Sequence, residues 1–277
     1  MKKTVVITGA SSGIGRETAA LFAKKGWNVV ATMRTPEMFA GRLDGPHVLY
    51  QRLDVLDRNT IDATIAAALE HFGNIDVWVN NAGYGTFGPL EAATPDQIRR
   101  QFEVNLFGLI ACIQAVAPHM REKGTGTIVN ISSNGGLMTF PAYTLYNATK
   151  FAVEGLSEGL WYELGAFGIK VKLIEPGVTN TDFGNRSMDM IDYVRLPEYR
   201  ELMDKITVAR ARSRARAGTA DEVAQTILAA ALDSSDRLRT IVGKDAARLW
   251  SVRRWLGSAY QMKMVRRMLG IQPVDRR

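Results

Sequence analysis

The sequence opens with a short β-branched run that leads directly into a glycine-rich turn. Lys3 to Thr8 is typical of a buried parallel strand, and the turn TGASSGIG follows it at once. Gly9, Gly13 and Gly15 let the backbone turn tightly and approach a pyrophosphate, while a helix that begins near Gly13 points its free N–H groups at the phosphate charge. This strand, turn and helix predict dinucleotide binding rather than a plain glycine turn.

Strands and helices alternate along the rest of the chain. This alternation predicts an α/β fold, a single doubly wound parallel sheet of about seven strands with helices on both faces. The 277 residues, 46% of them apolar, suit one domain over 1–277 with a substantial core. Within it, 182–218 breaks the rhythm and 245–277 forms a basic, helical tail.

The residues after the second strand predict which dinucleotide is bound. About 20 residues beyond the glycine turn, a NAD site presents Asp or Glu to the ribose hydroxyls. Met33 and Arg34 occupy that point. An arginine can grip a 2′-phosphate that an acid would repel, so we expect NADP(H) in preference to NAD(H). The alternative is that Arg34 is a solvated charge at the end of a strand.

Composition bears on disulfides, metal sites and cellular location. The one cysteine, Cys112, lies in an apolar run, which excludes a disulfide within the chain and favours a small core residue. Three scattered histidines lack metal-ligand spacing, so no metal site is expected. The start of the sequence is a strand and not a signal peptide, and no run approaches the length of a membrane-spanning helix. We therefore expect a cytoplasmic location.

Tyr146 and Lys150 are candidates for the chemistry. On a helix their spacing of four puts both side chains on one face. A fixed ammonium favours the phenolate, so Lys150 should lower the pKa of Tyr146 toward the working range. Ser133 follows a strand and would then bond the substrate oxygen that Tyr146 protonates. The spacing alone also fits an ordinary surface pair.

Two sets of polar residues have open roles. Asn81, Ala82 and Gly83 follow the fourth strand, where the amide would pin neighbouring strands, touch the ribose or simply form a turn. Asn105 is a polar residue inside an apolar helix, and an amide satisfied locally accounts for it as well as a functional role does.

Taken together, TGASSGIG, NNAG, Asn105, Ser133 and YNATK resemble the short-chain dehydrogenase/reductase family, from about Lys3 to Asp182. The glycine spacing is similar to that of its shorter, oxidoreductase-type members. The resemblance implies an NADP(H)-dependent enzyme acting on CH–OH groups. In such an enzyme Tyr146 would be the acid/base, and Lys150 would lower the pKa of Tyr146 and hold the nicotinamide ribose. Ser133 would orient the carbonyl, and Asn105 would support a water relay.

The same resemblance implies the contacts to the cofactor. Asp54 would meet the adenine, Asn81 to Gly83 the adenosine, and Val178 with Thr181 the carboxamide and diphosphate. Thr179 departs from the hydrophobic residue that the family often has. The residues so assigned are Gly9, Ser11, Ser12, Gly13, Ile14, Gly15, Arg34, Asp54, Asn81, Ala82, Gly83, Tyr146, Lys150, Pro176, Gly177, Val178 and Thr181. The family also suggests a homodimer or homotetramer and a lipophilic, steroid- or retinoid-like substrate.

The late segments have two interpretations each. The run from Phe183 to Gly218 mixes large apolar groups with charges and is predicted to be a substrate lid. Its alternating arginines, Arg210 to Arg216, are expected to form a solvated, flexible segment rather than an anion-binding lid. The tail is expected to pack on its own domain rather than on a membrane or a partner.

Two rival functions remain. One is a nucleotide sensor that binds its ligand without turnover. The other is nucleic-acid binding through the basic run and the tail, which we do not expect.

Overall fold

The computed structural model describes residues 2–39, 45–184 and 187–271. Its centre is a seven-stranded sheet in which every neighbouring pair is parallel, in the order β7–β6–β5–β4–β1–β2–β3. This confirms the predicted doubly wound α/β sheet. The strands are β1 (Thr4–Ile7), β2 (Asn28–Met33), β3 (Val48–Arg52), β4 (Val77–Asn80), β5 (Gly126–Ile131), β6 (Ile169–Pro176) and β7 (Arg239–Val242).

Helices cover both faces of this sheet. The α-helices of the described residues are α1 (Gly13–Lys24), α2 (Arg58–Phe72), α3 (Pro95–Phe102), α4 (Gly108–Lys123), α5 (Asn134–Leu137), α6 (Thr144–Gly165), α7 (Arg200–Arg214), α8 (Ala220–Leu232) and α9 (Lys244–Met268). Two short parallel pairs lie outside the main sheet. They join Gly85–Phe87 with Met188–Met190 and Thr179–Asn180 with Gly218–Thr219.

The β-branched strands are buried because helices cover the sheet on each side. On one face Val5, Phe22 and Ile227 pack in a cluster that joins β1 to α1 and α8. On the other, Trp78 and Val116 belong to a cluster that joins the sheet to α2, α4 and α6. Successive residues of a strand point to opposite faces, so a run such as TVVI fills both layers.

The long apolar helix that contains Asn105 starts after Thr94 and is interrupted by one wide turn. Thr94 and Gln97 form a capping box at its start, with Pro95 in the first position. A π-helical turn over Glu103–Phe107 separates α3 from α4. By length and composition alone Pro95–Lys123 is apolar enough to cross a membrane, contrary to the expectation that no segment comes near this. A core helix of a soluble protein meets the same criterion.

The tail helix α9 packs on the domain only in part. Ala246 and Gln261 are buried, whereas Trp255, Leu256 and Tyr260 are exposed, Trp255 by 79%. A non-helical residue, Gly257 with φ of 81°, breaks the helix between its two halves. The tail therefore packs on its own domain around Ala246 and Gln261, while its middle section and its last residues up to Met268 are exposed. Residues 272–277 of the predicted tail lie outside the described residues.

Candidate active site

The glycine turn after β1 is built for close approach. Gly9 and Gly13 have φ values of +67° and +53°, which L side chains rarely adopt. A Cβ on Gly15 would lie 2.3 Å from the carbonyl oxygen of Gly9, so only glycine fits where α1 packs on the turn. Ser12 precedes α1 without capping it by its side chain, which leaves the first N–H groups of the helix available. This geometry fits a pyrophosphate.

Asn81 holds the turn in place rather than presenting its amide to a ribose. Its Nδ2 donates to the carbonyl oxygens of Thr8 and Gly9 at 2.9 and 3.1 Å. In return, the backbone N–H groups of Asn81 and Ala82 donate to Thr8 Oγ1 at 2.9 and 3.0 Å. Of the roles left open by the sequence, the structure shows the amide joining neighbouring strand ends.

The far end of the cleft is formed where β2 and β3 end. Arg34 is exposed directly after β2, and Met33 and Asp54 line the cleft beside it. Asp54 Oδ1 accepts from the N–H of Leu56 at 3.1 Å, and this bond fixes the carboxylate at the cleft edge. The Arg34 guanidinium therefore stands at the end of the cleft that is far from Tyr146.

Ser133, Tyr146 and Lys150 meet at the opposite end of the same cleft. Ser133 follows β5 and caps α5, accepting from the Gly135 N–H at 3.0 Å. Tyr146 and Lys150 are one turn apart on α6, and the Lys150 Nζ lies 5.7 Å from the centroid of the Tyr146 ring. Ser133 is near enough to lower the pKa of Tyr146, and its Oγ donates to Asn134 Oδ1 at 3.1 Å, so the two hydroxyls lie together in the cleft.

Burial is the largest cause of the pKa shifts of both Tyr146 and Lys150. It raises the pKa of Tyr146 to about 12, against the hydrogen bond from Ser133, which lowers it. Burial also lowers the pKa of Lys150 to about 8, and the Lys150 ammonium donates to the carbonyl oxygen of Ile131 at 2.8 Å. The Lys150 ammonium is directed to this backbone carbonyl, and its expected lowering of the Tyr146 pKa stays a prediction.

Asn105 lies behind the cleft instead of lining it. Its side chain is 2% exposed and sits in the π-helical turn. Its Oδ1 accepts from the N–H of Tyr84 at 3.0 Å, and its Nδ2 donates to the Tyr84 carbonyl at 2.8 Å and to Thr149 at 3.3 Å. These bonds satisfy the amide locally and fix the loop after β4 against α6. The water relay implied by the resemblance stays a prediction.

The cleft has a volume of about 760 Å³ and runs from Arg34 to the lid. Of the residues predicted for catalysis and cofactor binding, all but Asn105 and Gly15 line it; both of these lie behind its wall. Sequence reasoning missed several lining residues that belong to the reactive end. They are Tyr84, Arg100, Asn134, Phe140, Tyr143 and Asn147, whereas Met188 and Asp189 belong to the segment predicted to be a lid. Tyr143 was the one that helical spacing signals, since it precedes Tyr146 by three residues on the same face.

The alternating arginines are not a flexible solvated segment. Arg210, Arg212 and Arg214 belong to α7. On a helix, alternation separates into pairs spaced by four, so Arg210 and Arg214 share one face and line the cleft, whereas Arg212 and Arg216 are exposed. The expectation was wrong because the period of two hid this helical face.

A buried acidic pair lies behind Lys150 and was also missed. Glu154 is one turn beyond Lys150 on α6, and its carboxylate accepts a short hydrogen bond from Ser132. Glu175 is fully buried on β6, and Arg239 lies 3.1 Å from Glu154 and 3.2 Å from Glu175. Burial raises the pKa of both carboxyls, that of Glu175 to about 8. Arg239 supplies one positive charge for two carboxyl groups, and Glu175 therefore holds a proton near neutral pH.

Comparison with known proteins agrees with this geometry. Residues 3–192 match the short chain dehydrogenase family. An uncharacterized oxidoreductase of Schizosaccharomyces pombe is 37% identical over 230 residues, 81% of this chain and 94% of its own. The 3-ketodihydrosphingosine reductase of Bacteroides thetaiotaomicron is 41% identical over 179 residues, 65% of each chain. Human retinol dehydrogenase 8 is 38% identical over 205 residues, 70% of this chain and 65% of its own.

Solved structures match nearly the whole chain. A short-chain dehydrogenase from Streptomyces avermitilis has a TM-score of 0.81 and 33% identity, with 98% of both chains covered. One from Sphingobium yanoikuyae in complex with NADPH has a TM-score of 0.70 and 29% identity, covering 99% and 98%. A 3-ketoacyl-(acyl-carrier-protein) reductase from Brucella melitensis with NADH has a TM-score of 0.71 and 28% identity, covering 87% and 98%. The chain belongs to the short-chain dehydrogenase/reductase family of nicotinamide-dependent oxidoreductases.

Proposed function

We propose that the protein interconverts a ketone or aldehyde and an alcohol with NADP(H), and that Tyr146 is its acid/base. The observation that carries this is the cleft itself, which joins the glycine turn to the hydroxyls of Ser133 and Tyr146. A nicotinamide bound there supplies hydride to the carbonyl carbon, or accepts it in the reverse direction.

The chain's own residues would handle the oxygen and its proton. With a pKa raised to about 12, Tyr146 is protonated at neutral pH and is ready to donate to a carbonyl oxygen. Ser133 would orient that oxygen by a second hydrogen bond. Lys150 would hold the nicotinamide ribose through its ammonium.

Three features support NADP(H) and a lipophilic substrate. Arg34 stands where NAD-binding sites present an acid. The lid places apolar groups over the reactive end, among them Phe183, Met188 and Ile206. Two of the similar relatives are named for lipid substrates, a ketosphingoid base and retinol. The sequence expectations of a cytoplasmic location and of a homodimer or homotetramer remain part of this proposal.

A panel assay tests it. Lipophilic ketones, aldehydes and alcohols are supplied with NADPH or NADP⁺, and with NADH or NAD⁺, while the absorbance of the reduced cofactor is followed. The proposal expects turnover of at least one carbonyl–alcohol pair, faster with the phosphorylated cofactor. Tight NADPH binding without turnover across the panel would favour the nucleotide-sensor alternative. Faster turnover with NADH would show that Arg34 does not select the cofactor.

A further inference from the structure

The lid places an arginine beside Tyr143, whose ring neighbours that of the reactive Tyr146. Arg210 is half-buried on α7 and donates to the carbonyl oxygen of Gly184 at 3.1 Å. Its guanidinium carbon lies 4.5 Å from the centroid of the Phe87 ring, and the Tyr143 hydroxyl is near enough for the guanidinium to lower its pKa. A guanidinium carries five N–H groups in one plane, more than these two oxygens use. The residue therefore brings a donor-rich cation into an otherwise aromatic wall.

This wall leads from Arg210 to the reactive hydroxyl. The ring centroids of Phe87 and Tyr143 lie 5.0 Å apart, and those of Tyr143 and Tyr146 lie 6.3 Å apart. Phe183 closes the other side at 5.8 Å from Tyr146. A substrate whose carbonyl meets Tyr146 would therefore reach Arg210 across about one aromatic ring, with apolar groups along the way.

The field at this end of the cleft is positive. Arg214 lies one turn beyond Arg210 and lines the same cleft. The charges of both arginines lower the pKa of Tyr143, against burial, which raises it. Asp189 is the nearby acid among the described lining residues. Its carboxylate accepts a hydrogen bond from Gln97 at 3.1 Å, and its charge raises the pKa of Tyr84 rather than that of Tyr143. The Tyr143 side of the cleft thus favours an anion.

We propose that the substrate is an amphipathic carbonyl compound that carries a carboxylate, and that Arg210 binds this carboxylate while the carbonyl faces Tyr146. This inference rests on the proposed function and narrows its substrate class. A planar guanidinium matches a carboxylate with two parallel hydrogen bonds, and a partly desolvated site strengthens them. The apolar wall between Arg210 and Tyr146 then selects for a hydrocarbon spacer.

The test compares each keto acid with its methyl ester, and a variant of Arg210 with a variant of Arg212. Turnover with NADPH is measured for 4-, 5-, 6- and 7-oxododecanoate and for their methyl esters, with wild type, Arg210→Met and Arg212→Met. Arg212 lies on the same helix but is exposed. The inference expects kcat/KM to favour at least one acid over its ester by roughly 10- to 100-fold. This preference should vanish in Arg210→Met and persist in Arg212→Met.

A binding measurement keeps the inference separate from the proposed function. Decanoate and decanamide are titrated calorimetrically into each protein saturated with NADP⁺. Wild type and Arg212→Met should prefer decanoate, Arg210→Met should not, and Arg210→Lys should retain part of the preference. Equal affinity for the two ligands in wild type, or a loss of NADPH affinity as the main effect of Arg210→Met, would overturn the inference. Absence of all turnover with a retained decanoate preference would refute the proposed function alone.

Discussion

Asn105 holds both backbone groups of Tyr84 with one side-chain amide. It accepts from the Tyr84 N–H at 3.0 Å and donates to the Tyr84 carbonyl at 2.8 Å. The bonds cross from a π-helical turn to the loop that follows β4, next to the residues that pin the glycine turn. A single amide therefore couples the helix behind the cleft to the loop that lines it.

Asn105→Ala should destabilise the protein, because it leaves the Tyr84 N–H without its partner and removes one of the two donors to the Tyr84 carbonyl, which keeps its bond from Gln101 at 2.9 Å. Each unsatisfied group costs about 1–3 kcal/mol. We expect the free energy of unfolding to fall by about 1–3 kcal/mol in urea titrations. Gln114→Ala, on the exposed face of α4, is the control and should stay within about 0.5 kcal/mol of wild type. Equal stability of the two variants would show that the amide is not structural.

Gly15→Ala should damage the glycine turn. The added Cβ would lie 2.3 Å from the Gly9 carbonyl oxygen, so α1 or the turn must move. We expect a loss of about 1–3 kcal/mol in stability together with weaker NADPH binding by fluorescence titration. Gly159→Ala adds a Cβ that meets nothing within 4 Å inside α6, and it should stabilise the protein by up to about 1 kcal/mol. Normal cofactor affinity in Gly15→Ala would contradict the proposed turn geometry.

Arg34→Asp should reverse the cofactor preference. Removing a guanidinium from the ribose phosphate and adding a repelling acid should weaken NADPH binding by roughly 10- to 100-fold relative to NADH. The dissociation constants of both cofactors are compared by fluorescence. Arg121→Asp makes the same charge change at an exposed site near the end of α4 and should leave the ratio unchanged. An unchanged ratio in Arg34→Asp would mean that another group reads the phosphate.

Glu175 should make stability depend on pH. Burial and the Glu154 charge raise its pKa in the folded protein from 4.5 to about 8, so the folded state holds a proton that the unfolded chain has lost. Stability should accordingly decrease as pH rises between these two values, by at most about 1.4 kcal/mol per pH unit. Glu175→Gln, which mimics the protonated acid beside Arg239, should flatten this slope, whereas exposed Glu163→Gln should not. Identical slopes in urea titrations across this pH window would refute the assignment.

The sheet, the glycine turn and the reactive trio could be predicted because their signals are local. The β-branched run before Gly9 reports a strand buried on both faces, and the spacing of Tyr146 and Lys150 reports a shared helical face. The parallel order of the strands then brings Ser133 and the glycine turn to one edge.

What escaped prediction depends on contacts between distant segments. The pKa of Tyr146 is set by the burial that the folded cleft imposes, and the amine of Lys150 is diverted to a carbonyl on β5. The pairing of Glu154 with Glu175 joins α6 to β6, and no local pattern announces it. Arg210 looked solvated because its alternation with apolar and small residues resembles an irregular segment until the helix α7 is known.

The central claim is that the Tyr146 hydroxyl moves the proton of a nicotinamide-dependent carbonyl–alcohol reaction. The most direct measurement is the turnover and the NADPH affinity of Tyr146→Phe, with Tyr162→Phe as the control, because Tyr162 is exposed on the same helix. The account predicts that Tyr146→Phe lowers turnover by about 10²–10⁴-fold while NADPH affinity stays close to that of wild type, and that Tyr162→Phe changes neither. Turnover in Tyr146→Phe close to that of wild type would contradict it.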